Sequence, residues 1–175
     1  MAVSTLYRRI LAVAVMIIAG LLTAGLMNAA DAAGSVSVQQ GKLVVSGGSE
    51  ANSFFVTGNG FGPGTFTVTD GTASISAGAG CTKSGSTVTC TNVFAGIRVS
   101  TGGGNDAVRL RNTFMSSDIK GGEGNDLLIG SSTARDFLFG EGGNDTLNGS
   151  GSDFLNGGAG FDKCSGANDK VSCES

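Results

Sequence analysis

Aspartates recur through the second half of the chain at a nearly constant phase, and each is followed two residues later by an apolar side chain or a cysteine. The pairs are Asp106/Val108, Asp126/Leu128, Asp136/Leu138, Asp145/Leu147, Asp153/Leu155, Asp162/Cys164 and Asp169/Val171. A degenerate copy places Ser117 and Ile119 in the same slots, and the steps average about nine residues. Several aspartates close glycine-rich runs: Gly-Gly-Glu-Gly-Asn-Asp at 121–126, Gly-Glu-Gly-Gly-Asn-Asp at 140–145 and Gly-Gly-Ala-Gly-Phe-Asp at 157–162. Glycine admits the positive φ of a tight turn, and such turns expose main-chain oxygens beside the carboxylate. The chain contains no histidine. Carboxylate and carbonyl oxygens, with no nitrogen or sulfur ligand, suit a hard cation, and their flexible number favours calcium over magnesium. Asn and Asp also make good turns on their own. That explains one or two copies, but not an acid at constant phase with an apolar partner two residues on.

Two nine-residue units make one coil of a solenoid, each supplying a turn and a short strand, so alternate turns stack along one edge. Sorted this way, Asp106, Asp126, Asp145 and Asp162 share an edge. The glycines of their turns are Gly102, Gly104, Gly121, Gly122, Gly124, Gly140, Gly142, Gly143, Gly157, Gly158 and Gly160. These residues are the expected calcium site. The opposite edge carries Ser117, Asp136, Asp153 and Asp169 behind poor turns, such as Ser131-Ser132-Thr133-Ala134-Arg135, and is expected to bind more weakly. Arg135 beside Asp136 can stand in for a metal there. Strands stacked about 4.8 Å apart bring like carboxylates together, with a repulsion of roughly 1 kcal/mol per pair in water. The apolar slots, Val108, Ile119, Leu128, Leu138, Leu147 and Leu155, form a thin inward ladder. So small a core makes bound metal part of the folding free energy.

From about residue 101 onward the chain resembles the RTX proteins, in which this glycine–aspartate nonapeptide is the known calcium-binding repeat. The resemblance implies ions held between turns of one edge by a carboxylate and main-chain carbonyls from each. The part before it, through the Gly78-Ala79-Gly80-Cys81 run to Cys90, is similar to the lead-in of secreted actinobacterial calcium-binding RTX-like proteins, which implies architecture only. RTX exoproteins commonly leave through an exporter that reads a C-terminal signal, whereas this chain starts with an N-terminal one. Toxin activity therefore does not follow from the resemblance.

The elements that must position the turns are all β. Residues 101–175 are expected to form a right-handed parallel β-roll, since crossovers between parallel strands are nearly always of that hand. Residues 33–100 read as a smaller β-rich segment, a degenerate solenoid cap, with short runs such as Leu43-Val44-Val45, Phe54-Phe55-Val56 and Phe66-Thr67-Val68 broken by Gly, Asn and Ser. Within it Gly47–Phe54 looks like a decayed nonapeptide, with Asn52 in the aspartate slot and hence no metal. Phe54, Phe55, Phe61 and Phe66 are assigned to the core rather than to a surface patch.

Residues 1–32 read as a secretory signal peptide: Arg8 and Arg9, an uncharged run over 10–26, and Ala30-Asp31-Ala32 as the cleavage site, with the cut after Ala32. The same run could instead serve as an uncleaved anchor. Cleavage removes Arg8, Arg9 and Asp31 and takes the net charge from −3 to about −4, which disfavours nucleic acid as a partner. Four cysteines suit an exported protein and pair locally as Cys81–Cys90 and Cys164–Cys173. The alternative is a four-thiolate zinc site, which lacks the usual knuckle spacing. Without histidine or a Gly-x-Ser-x-Gly element, catalysis has little to work with. The sequence thus reads as a secreted, monomeric, non-enzymatic calcium-binding protein, soluble or cell-surface associated. The alternatives are a repeat module of a secreted enzyme and a carbohydrate-binding β-solenoid.

Overall fold

The structure is a computed structural model describing residues 34–60 and 63–174. The expected leader, its cleavage site and Phe61 lie outside those residues. Among the described residues there are only strands, sixteen of them, in two eight-stranded sheets.

The repeats build the parallel part. One sheet carries β8 (Ile97–Gly103), β10 (Ser117–Glu123), β12 (Asp136–Gly142), β14 (Phe154–Ala159) and β16 (Asp169–Val171) side by side. The other carries β9 (Ala107–Thr113), β11 (Leu127–Ile129), β13 (Thr146–Asn148) and β15 (Lys163–Ser165). Parallel register sets Val108 beside Leu128, Leu147 and Cys164 in one sheet, and Val99 beside Ile119, Leu138 and Leu155 in the other. Side chains alternate across a strand, so each short strand sends one of these residues inward, and all are buried. This is the parallel β-roll the nine-residue period implies.

The decayed copy is a genuine rung. β2 (Lys42–Ser46) pairs in parallel with β8, and β3 (Ser53–Gly60) with β9, which puts Phe54 beside Val108. Beyond this rung the chain turns antiparallel. β1 (Ser35–Gln39) folds onto β2 through Gln40 and Gly41, both with positive φ (52° and 76°), the backbone a two-residue hairpin loop needs. β4 (Gly64–Asp70), β7 (Thr87–Val93) and β6 (Cys81–Ser84) then extend the second sheet, and β5 (Ser76–Ala77) pairs in parallel with β1. Phe54, Phe66, Val36, Val56, Val68 and Val88 are fully buried there, whereas Phe55 faces partly outward. β8 runs across residue 100, and the described residues belong to one compact unit.

Both cysteine pairs are disulfides, Cys81–Cys90 and Cys164–Cys173, which leaves no thiolate for the zinc alternative. One expectation needs correcting. The register pairs Phe154 with Asp169 and Leu155 with Lys170, so Asn168, not Asp169, follows Asp153 on the opposite edge. Asp169 is exposed, and Val171, the apolar residue two places after it, is 45% exposed. The short turn Gly166-Ala167-Asn168 buries Ala167 against the core cluster, and that contact sets the register one residue early.

Glu141 occupies a slot that glycine holds in the neighbouring rungs. Gly102, Gly122 and Gly158 have φ of 98°, 107° and 107°, while Glu141 stays at 77°. A methyl group on Gly122 would run into the carbonyl of Gly102. Glu141 gains only an exposed ion pair with Lys120, 2.9 Å, worth about 0–1 kcal/mol. Gly122→Ala is therefore expected to cost about 2 kcal/mol. Glu141→Gly should stay within about 1 kcal/mol of the parent or exceed it. Urea unfolding at one saturating calcium concentration measures both; equal losses would contradict this account of the turn.

Candidate metal centre

The turns from the first sheet to the second set Asp106, Asp126, Asp145 and Asp162 in one column, each at most 3% exposed. In each carboxylate Oδ1 accepts a main-chain N–H from the preceding rung. Asn52 donates to Asp106 (2.6 Å), Asp106 to Asp126 (2.8 Å), Asp126 to Asp145 (2.8 Å) and Asp145 to Asp162 (2.8 Å). Oδ2 is different. In all four aspartates it is buried with no hydrogen-bond partner, and Asn52 Oδ1 shares that state. Buried polar atoms are nearly always paired, and an unpaired one carries the full desolvation penalty of about 1–3 kcal/mol, more if charged.

The unpaired oxygens of Asp126, Asp145 and Asp162 face spaces that only glycine leaves open. A methyl group on Gly121 would overlap Asp126 Oδ2 and the Gly140 carbonyl oxygen; on Gly140, Asp145 Oδ2 and the Gly157 carbonyl; on Gly157, Asp162 Oδ2 and the Ser172 carbonyl. A carboxylate oxygen and a main-chain oxygen from the next rung thus converge at each of these positions. The turns around them use positive φ at Gly102, Gly104, Gly122, Gly124, Gly143, Gly158 and Gly160; Gly142, also expected in the set, is simply the last residue of β12. Among the described residues no three His, Cys, Asp or Glu side chains converge. The donor set is one carboxylate per rung plus main-chain oxygen, which fits a hard cation such as calcium and does not fit a transition metal.

The first rung departs from the rest. Thr101 stands level with Gly121, is fully buried, and donates its hydroxyl to the Gly121 carbonyl. The side chain fills the space that glycine leaves open elsewhere. Its hydrogen is committed to that carbonyl, so Asp106 Oδ2 stays without a donor although the hydroxyl lies close enough to moderate its charge.

The opposite edge solves the same problem without spare oxygens. Asp136 Oδ1 accepts from the Ser117 amide (3.1 Å) and hydroxyl (2.7 Å), and Oδ2 from the Ser131 amide. Asp153 Oδ1 accepts from the Asp136 amide (2.8 Å), and Oδ2 from the Ser150 amide (2.6 Å) and hydroxyl (3.2 Å). Arg135 does not play the part expected of it. Its guanidinium lies over the outward-facing Phe137 ring, 5.0 Å from the centroid, whereas Asp136 is fully buried. Serine and main-chain donors, which reach inward, take the role assigned to that cation.

Two features of the first edge lie outside the glycine–aspartate pattern. Asn105, Asn125 and Asn144 form a ladder, with the Asn125 amide on Asn105 Oδ1 (2.8 Å), Asn144 on Asn125 (2.7 Å) and Phe161 on Asn144 (2.8 Å). Asparagine at one phase in three turns is its trace in the sequence. Glu174 also enters the column: the Asp162 amide donates to its carboxylate (2.5 Å) and its own amide to the Asp162 carbonyl (2.9 Å). No periodicity announces it.

Residues 118–134 and 132–164 match the RTX calcium-binding nonapeptide repeat, in four copies. These residues carry RTX-like calcium-binding repeats. The RTX match covers Asp126, Asp145 and Asp162 and stops short of the Thr101–Asp106 turn. No curated protein and no solved structure matches the chain.

Burial raises the carboxyls of Asp106, Asp126 and Asp145. It lifts Asp106 and Asp145 above the usual value and takes Asp126 to about 6, where the charges of Asp106 and Asp145 add to it against the opposing Asp106 amide. Burial likewise takes Asp136 to about 6. A folded-state pKa above the unfolded value of 3.8 means stability that is fully present below that value and is lost as pH rises through the folded pKa. In a calcium chelator, melting temperature is therefore expected to fall between about pH 4 and pH 6. Calcium, which takes the ionised carboxylates, should offset that fall. A metal-free protein equally stable across this range would contradict the burial of charge described above.

Proposed function

We propose that the edge of Asp126, Asp145 and Asp162 holds calcium between its turns, and that the protein is a secreted, non-enzymatic calcium-binding protein whose roll is ordered by extracellular calcium. One observation carries the reading: Oδ2 of every aspartate in this column is buried and unpaired, while both oxygens of Asp136 and of Asp153 have donors. A bound ion supplies positive charge where the fold supplies none. The chain's own residues do the rest: Oδ1 fixes each carboxylate to the preceding rung, Oδ2 and the next carbonyl face the ion, and the absence of a Cβ at Gly121, Gly140 and Gly157 keeps the space open.

Asp106, Gly102 and Gly104 belong to the same column, but Thr101 takes the space beside Asp106, so we assign that turn no ion of its own. Asp136 and Asp153 need none, and Asp169 is outside the column. Affinity in the range of extracellular calcium modules, roughly 10⁻⁴ to 10⁻³ M, would leave the sites filled outside the cell and vacant within it. Two disulfides and the leader-like N-terminus support export. The lack of histidine supports a role other than catalysis, as a monomeric structural or surface-associated protein.

Asp126→Asn and Asp145→Asn should each weaken calcium binding at least about tenfold, as removal of one charged ligand does. Asp136→Asn should lower stability yet leave affinity within about twofold. Isothermal titration with calcium, read beside circular dichroism with and without chelator, makes the comparison. Equal losses from Asp126→Asn and Asp136→Asn would show that the two edges do not differ in the way proposed.

A further inference from the structure

The matched repeats end at residue 164, yet the space at Gly157 is built like those at Gly121 and Gly140. Asp162 is fully buried and its Oδ2 has no partner. In the two earlier spaces the second oxygen comes from the first glycine of the next turn. At Gly157 it comes from Ser172, a residue of no repeat, held at φ 50°. Glu174 then repeats the hydrogen bonds of a next-rung aspartate. Its carboxylate accepts the Asp162 amide as Asp162 accepts that of Asp145. The neighbouring main-chain bond is reproduced too: the Glu174 amide meets the Asp162 carbonyl as the Lys163 amide meets that of Asp145. Cys173, between these residues, is bonded to Cys164, which lies in the core ladder of β15.

From this we infer that Ser172–Glu174, pinned by the Cys164–Cys173 disulfide, acts as a substitute half-turn that completes a third calcium site with Asp162 and Gly157. The inference rests on the calcium reading above and adds a site that the repeats alone do not complete. Ser172 contributes a main-chain oxygen. Glu174 positions Asp162 and extends the column's negative charge by one place. The disulfide removes the freedom of a segment that has only the short strand β16 before it, so the carbonyl is presented without an ordering cost at the moment of binding.

Native mass spectrometry of the oxidised protein across a calcium titration tests this, with Glu174→Ala and the double variant Cys164→Ser/Cys173→Ser alongside the parent. The parent is expected to take three ions. Each variant should keep two at parental affinity and hold the third at least tenfold more weakly, with Glu174→Gln between parent and Glu174→Ala because its amide oxygen can still accept the Asp162 N–H. Glu174→Ala keeps the disulfide, so it decides the matter even if the double variant folds poorly. A parent that binds only two ions, or a Glu174→Ala protein that binds three as tightly as the parent, would overturn the inference and leave the calcium reading intact. A parent that binds no calcium at all would instead overturn the reading on which it rests.

Discussion

Parallel stacking repeats every group directly above its own kind, and a roll can bury a carboxylate only by repeating the problem in each rung. The same geometry that stacks Leu128 on Leu147 and Asn125 on Asn105 stacks Asp126 on Asp145. For apolar and amide groups the stacking is self-complementary. For carboxylates it is repulsive, and burial strengthens the repulsion. One oxygen of each carboxylate is always satisfied, because the rung before it ends in an N–H at the right height. The fold turns on what meets the other oxygen. On one edge, serines place an amide and often a hydroxyl against it. On the other, glycine turns offer it no donor and set a carbonyl oxygen beside it instead. A carbonyl beside a carboxylate is unfavourable until a cation lies between them. The choice between serine and glycine in the turn is thus the choice between an edge whose carboxylates are fully paired and one with spare oxygens.

Apolar burial is distributed to match. The antiparallel end carries Phe54, Phe66 and a group of valines with no exposure, whereas each strand from β10 to β15 buries a single apolar side chain. A solenoid rung touches only its neighbours, so stability has to pass along the roll from the end where the core is large. The two disulfides sit accordingly. Cys81–Cys90 joins paired strands at the outer side of the large core, and Cys164–Cys173 fastens the last strands, where a rung has one neighbour instead of two. Between those fixed ends lie the turns in which burial of charge works against folding, and there a cation that binds only the folded state has the greatest leverage on the equilibrium.

Much of this was legible in the residues. A nine-residue phase with an acid and an apolar slot is enough to separate two edges, and the edge with the glycine-rich turns is the one that carries the spare carboxylate oxygens. Asn52 is readable as a lapsed aspartate because Gly47, Gly48 and Phe54 keep the pattern around it. What failed to show were features decided by a single contact. The spacing of Asp153, Asn168 and Asp169 permits two registers, and only the burial of Ala167 selects between them. Arg135 is adjacent to Asp136 in sequence, but alternation along a strand puts neighbours on opposite faces. Thr101 replaces one glycine in an otherwise full set, and nothing in composition says that its hydroxyl would turn into the gap. Glu174 has no phase at all; its place follows from the disulfide.

Read from its N-terminal end, the column shows how the need for metal is removed stepwise. At Asn52 the charge itself is gone, and the amide nitrogen donates to Asp70 at 3.3 Å. Burial alone would push that carboxyl up, yet the amides of Thr72 and Ser53 hold it below its usual value, so it remains a charged acceptor without a metal. At Asp106 the charge is kept but the space is filled by Thr101. From Asp126 onward both charge and space are present. Either change alone closes a gap to an ion, since a neutral amide gives a hard cation little to bind and a filled space gives it nowhere to sit. The two gaps without a complete cation space adjoin the large apolar core, and the open ones are those farthest from it. Where packing is ample, a rung lacks either the charge or the space; from Asp126 onward, where each strand buries a single apolar side chain, the column keeps the charge, the glycine and the spare carbonyl together.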